Sequence, residues 1–147
     1  MWQHHRYKIL FSALLLLSGL VLAVNTGNAK PGNELDWLDV LGEGTTLLVA
    51  CGWLGLIIGS RPAGRVTEWL YYGSLLLVFS YFLDLLDEFI RYPEHLRLMS
   101  WLESLPAPVG MLILTYGLVG WHREQRAINR QLRGRELYLR DHQLIDP

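Results

Sequence analysis

The chain has 147 residues, 51% of them hydrophobic, and a formal net charge of -1 from 13 Lys and Arg against 14 Asp and Glu. One modest domain fits that length, and a positive mean hydropathy with the apolar residues gathered in blocks excludes an ordinary soluble domain. The single cysteine, Cys51, excludes an intramolecular disulfide framework and a thiolate metal cluster; within its apolar run it reads as a small buried hydrophobe.

The first apolar block runs from Ile9 to Val24, after Arg6 and Lys8 and before Asn25-Thr26-Gly27-Asn28. A signal peptide shares this layout, with Ala23 or Ala29 near a cleavage site, and we read the block as a span or signal anchor. The second, Thr45 to Gly59, reaches the ~20 residues that a bilayer requires when extended back to Leu41 and on to Ser60. The third runs from Trp69 to Ile90 with Pro93 as its stop, and the fourth from Leu102 to Trp121. Short connections make neighbouring helices antiparallel. The pattern predicts an all-α integral membrane four-helix bundle over residues 1–121, followed by a polar helix over 122–147.

Charge sets the orientation. Arg6, Lys8, Arg61, Arg65 and a tail with six arginines share one side, whereas the other has Lys30, Arg91 and Arg97. The first side is predicted to be cytoplasmic, with both termini there. Trp2, Trp69 and Trp121 fall at that inner boundary and Trp37 and Trp101 at the outer one, as interfacial anchors do. Trp53 falls mid-span and reads as a packing residue between helices. Gly55-Leu56-Ile57-Ile58-Gly59 permits close helix approach, within the chain or in a dimer, and so do Gly110, Gly117 and Gly120.

Acidic residues collect at the outer end, among them Glu34, Asp36, Asp39, Glu43, Asp84, Asp87, Glu88, Glu94 and Glu103. Tyr81, Asp84, Asp87, Glu88 and Arg91 recur at helical spacings and form one polar stripe, a candidate ligand site. Asp84 lies about two turns inside the apolar boundary, where an ionisable group costs a few kcal/mol unless it faces water, a partner or the bundle interior. A carboxylate–Tyr or Asp–Arg network that fixes packing is the alternative. With His95, Asp84 and Glu88 offer imidazole and oxygen ligands for a divalent metal, without a diagnostic metal-site spacing. Pro106 and Pro108 either kink the fourth helix beside Asp84 or simply start it. His5 and His122 at the inner boundary, or His95 at the outer one, are candidate axial ligands of a b-type haem.

Beyond Trp121 a weak heptad seam holds Ile128, Leu132 and Leu139, with Gly134 lowering helix propensity between them by about 1 kcal/mol. Such an imperfect seam changes register at small cost, which suits a signalling stalk; an arginine-rich helix resting on anionic lipid is the alternative.

The tail closes on Arg140-Asp141-His142-Gln143-Leu144-Ile145-Asp146-Pro147. A charged, helix-prone stretch that leaves the last apolar block and stops at Asp-Pro resembles the stalk leading into a GGDEF diguanylate cyclase domain. Such domains open with a D-P-L-T-G-L-x-N-R-like run, of which Asp146 and Pro147 are present. The resemblance covers about Leu137 to Pro147 and the general plan of spans followed by a stalk. It implies a bacterial inner-membrane protein, a homodimer, and a cyclase beyond Pro147 that uses GTP and Mg to make cyclic di-GMP. No catalytic residue carries over to this chain. The leading expectation is a sensory input module that binds a ligand, metal or haem in the bundle. A passive anchor and dimeriser, or a small haem-binding redox protein, are the alternatives; a nucleic-acid partner is not expected.

Overall fold

The computed structural model describes residues 2–93, 101–102 and 104–143, with side chains described from 6 to 140 within those ranges. Its elements are α1 (Trp2–Thr26), β1 (Asn28–Ala29), α2 (Trp37–Ser60), α3 (Arg65–Phe89), β2 (Ile90–Arg91) and α4 (Pro106–Gln143). Among the described residues the regular structure is helical apart from one two-residue strand pair. Three of the helices, α1 from Arg6, α2 and α3, are long and apolar enough to cross a membrane. At 1.5 Å per residue the 25 residues of α3 reach about 37 Å, beyond the ~30 Å of a hydrocarbon core. α4 differs: its apolar part runs only from Pro106 to Trp121, and the remainder is charged.

The helix ends follow local chemistry. Asp36 caps α2 by accepting from the Leu38 amide at 2.9 Å, and Asp39 in the first turn complements the helix dipole. Pro106 is the first residue of α4, where its missing N–H would be unpaired in any case. The proline pair therefore starts the helix and does not kink it. Asn25 and Thr26 end α1 by bonding back to Val21 and Leu22 carbonyls. Gly27 then turns the chain where a Cβ would stand 2.1 Å from Ile90 Cγ2. That close approach lets β1 pair antiparallel with β2, Asn28 opposite Arg91 and Ala29 opposite Ile90. The Lys30 amide extends the pairing to the Phe89 carbonyl at 2.8 Å.

α3 is the hub. It packs against α1, α2 and α4, while α1 and α4 make no extended contact with each other. Half of its apolar window is buried, against 17% for α1 and 11% for α2. The core joins Tyr71, Leu75 and Val78 of α3 to Ala50 and Leu54 of α2, with Leu15 and Leu16 of α1 against them. The α3–α4 seam is instead built on glycine. A Cβ on Gly73 would lie 2.6 Å from the Leu114 nitrogen, one on Gly110 2.9 Å from the Gly73 carbonyl oxygen, and one on Gly117 2.9 Å from Leu70. In lipid, where apolar surface gains nothing by leaving tails for side chains, such backbone approach is what holds helices together.

Two packing expectations are corrected. Trp53 is not wedged between helices; it is 54% exposed, on the side of α2 that looks toward α4. Cys51 is exposed as well, on a helix with little buried surface. The Gly55–Gly59 pair meets nothing within 4 Å, whereas Gly73 of α3 and Gly110, Gly117 and Gly120 of α4 pack closely within the chain. Gly55→Ala is accordingly expected to leave the monomer as stable as before, or up to about 1 kcal/mol more so through helix propensity. Chemical cross-linking of wild type and Gly55→Ala checks whether this face serves a dimer. A lost dimer with unchanged monomer stability places the seam there, and an unchanged dimer removes it.

Candidate functional site

The β1–β2 end of the helices is acidic. A cavity of about 340 Å³ opens there between α2 and α3, lined by Asp39, Glu43 and Thr46 from the first and Tyr81 and Asp84 from the second, with Leu38 and Gly42 at its edge. One carboxylate oxygen of Glu43 is buried with no hydrogen-bond partner. Asp39, Asp84, Asp87 and Glu88 all act on Glu43 as like charges. The lining offers many acceptors and few donors, since Thr46 already donates to the Gly42 carbonyl at 2.9 Å. Its chemistry suits a cationic or donor-rich small molecule.

Of the residues singled out in the sequence, Tyr81 and Asp84 line this cavity. Asp87 and Glu88 sit half-buried on the next turn and contribute to its field without lining it. Arg91 turns away and pairs with Glu34 at the exposed edge. Among the described residues no three His, Cys, Asp or Glu side chains are grouped so as to hold a metal ion, so Asp84 and Glu88 lack a third ligand there. His95, the residue proposed to complete that set, lies outside the described residues, as do Glu94, Arg97 and Glu103. His5 is in the first turns of α1 with its side chain undescribed, and His122 is exposed on α4. Ile128, Leu132 and Leu139 are exposed along α4, and Ile128 also borders the groove that Trp53 of α2 lines. Asp146 and Pro147 are outside the described residues.

The opposite end carries two polar clusters that helical periodicity does not reveal. Lys8, only 2% exposed, bonds Glu68 at 2.8 Å, and its ammonium lies 4.9 Å from the centre of the Tyr71 ring. The Tyr71 hydroxyl donates to the Lys8 carbonyl at 2.9 Å, and the Ser12 hydroxyl stands 3.0 Å from it. Tyr7 adds a longer bond to Glu68 at 3.4 Å. This cluster ties α1 to α3. The second ties the α2–α3 turn to α4. Arg61 pairs with Glu124 at 2.8 Å, lies 5.4 Å over the Trp121 ring, and donates through Nε to Thr67 at 3.3 Å. Thr67 in turn donates to the Pro62 carbonyl at 2.8 Å, which fixes the turn.

Glu124 sits just past Trp121, where α4 changes from apolar to charged. The Arg61 clasp thus grips α4 at that change. Charge reading alone placed Arg61 only as an inner-side cation. The signal available in sequence was Glu124 as an acid with no Lys or Arg three or four residues away on its own helix, which leaves it open to a basic partner from another element. Glu43 was visible too, one helical turn from Asp39 and at a depth like that of Asp84.

Comparison with protein-family models, with curated proteins and with solved structures finds no match.

Proposed function

We propose that this chain is the membrane input module of a signalling protein, with α4 as the element that carries its output. It crosses the membrane four times, the fourth crossing made by the apolar start of α4 and the residues before it. Both termini face the cytoplasm of a bacterium, and two copies pair along Ile128, Leu132 and Leu139. A GGDEF-type cyclase making cyclic di-GMP is the output this reading assigns. The acidic cavity around Glu43 and Asp84 is its site for a small ligand.

The observation that carries the reading is continuity. One helix of 38 residues runs unbroken from the α3 seam through the Arg61 clasp into the charged tail. A shift of α4 against α3 is therefore transmitted to its far end. Supporting it, basic residues gather at the tail's end of the helices and acidic ones at the other, as in membrane proteins with a cytoplasmic tail.

The test alters the clasp in the full-length protein and measures cyclic di-GMP. A half-exposed ion pair is worth up to about 1 kcal/mol, which moves a two-state balance about five-fold. Glu124→Arg and Arg61→Glu are each expected to shift output by about that factor, and the charge-swapped double variant to return it. Output equal to wild type in all three would leave only a passive anchor.

A further inference from the structure

α2 and α4 both rest on α3 without closing over it near the Arg61 end. Between them lies a groove of about 760 Å³, with Leu70 and Ser74 of α3 as its floor, Trp53 on the α2 wall, and Leu114, Leu118 and Trp121 on the α4 wall. That volume is within the range of small-molecule sites. The acidic cavity is at the opposite end of the helices, so the two are separate.

Ser74 distinguishes this groove from a mere gap. It is 2% exposed, and its hydroxyl has no hydrogen-bond partner. Other hydroxyls on these helices, those of Ser12, Thr46, Ser60 and Thr115, bond back to the carbonyl one turn earlier. A buried hydroxyl left unpaired in apolar surroundings is costly, and a bound acceptor removes that cost.

Depth narrows the chemistry. Ser74 comes nine residues after Arg65, about 14 Å along α3 and close to the middle of a ~30 Å hydrocarbon core. The charged headgroups and ester carbonyls of phospholipids belong to the interface and do not reach that level. The acceptor must come from a molecule that dissolves in the hydrocarbon itself. Trp53 stands seven residues before the end of α2, at a similar level, and presents an indole to the groove. A flat ring is the shape an indole face accepts.

We propose that this groove binds a flat, apolar carbonyl compound of the membrane interior, of the lipid-soluble quinone type. The Ser74 hydroxyl donates to a ring carbonyl, Trp53 lies against the ring, and the apolar tail leaves between α2 and α4. Binding rests on the groove alone; an effect on output rests also on the signalling reading above.

The experiment titrates the purified full chain in nanodiscs with decylubiquinone and follows tryptophan fluorescence, which a quinone ring quenches at short range. Saturable quenching is expected, with the share from Trp53 lost in Trp53→Phe and that from Trp121 on the facing wall retained. Loss of one hydrogen bond weakens binding about five-fold, so Ser74→Ala is expected to raise Kd by that factor while Ser74→Thr keeps it near wild type. Ser74→Ala also removes the unpaired hydroxyl, so its thermal stability should equal or exceed wild type, which separates lost binding from misfolding. Absence of saturable quenching in the wild type, or an unchanged Kd in Ser74→Ala, overturns the proposal. Equal displacement by palmitic acid overturns the ring and gives the groove to an acyl chain. Quinone binding with unaltered cyclic di-GMP output of the full-length protein overturns an effect of this groove on output and leaves both the binding site and the acidic cavity's role as input standing.

Discussion

Gly73→Leu is expected to separate α4 from α3 and to give the largest stability loss of any single change in the chain. A Cβ at position 73 would lie 2.6 Å from the Leu114 nitrogen and 2.8 Å from its Cα, both backbone atoms with no rotamer to escape by. Gly110 sits across the same contact, its own Cβ position 2.9 Å from the Gly73 carbonyl oxygen and 2.9 Å from Leu76 Cβ. Overpacking in a tight core costs about 1–3 kcal/mol and more where the backbone must move. Even Gly73→Ala should fall in that range, and leucine above it. Thermal unfolding in detergent measures the loss. The edge-to-face pair of Trp69 and Tyr116, 5.3 Å between centroids, bridges the same seam and gives a fluorescence reporter of its opening. Gly134→Ala is the control, since nothing lies within 4 Å of its added methyl and helix propensity favours it. Wild-type stability in Gly73→Leu would mean that α3 and α4 do not approach this closely.

The second large effect is expected at Lys8 and Glu68. Glu68→Leu leaves the Lys8 ammonium, 2% exposed, with the face of Tyr71 but no carboxylate. Removing one partner of a buried pair costs about 3–5 kcal/mol, because the remaining charge is stranded. Lys8→Met should cost less. Glu68 is 30% exposed and retains the Tyr7 hydroxyl as a donor. The double variant Lys8→Met/Glu68→Leu should regain most of the loss, because buried ion pairs rarely outperform apolar side chains of similar volume. A double variant as unstable as Glu68→Leu alone would show that the pair does more than neutralise itself. Three thermal melts and the wild type complete the cycle.

Much of the helical plan was legible. The apolar blocks ending near Val24, Ser60 and Ile90 marked the ends of α1, α2 and α3 to within a few residues, because apolar length is a local signal, although α1 begins at Trp2, seven residues before Ile9. The continuation of α4 past Trp121 was legible for the same reason. The hub role of α3 was not, since periodicity shows which helices are apolar and not which one the others share. The site was half legible. Tyr81 and Asp84 were found from their spacing and depth, but their neighbours Asp39 and Glu43 come from another helix, and Arg91 was drawn off by Glu34. Lys8 looked like an interfacial cation because nothing around position 8 announces an acid sixty residues away. Ser74 gave no signal, as a serine inside a helix ordinarily satisfies itself.

α4 is fixed along its first half by the glycine seam, and beyond the Arg61 contact its described side chains are exposed. From Trp121 to Gln143 it overhangs by about 33 Å of unbroken helix. It is a lever with its fulcrum at the clasp. A tilt of only about 5° at Trp121, too small to reopen the seam, sweeps the far tip through about 3 Å. In the dimeric signalling reading proposed above, two such arms side by side would turn a sub-ångström adjustment in the bundle into a change in spacing at their tips.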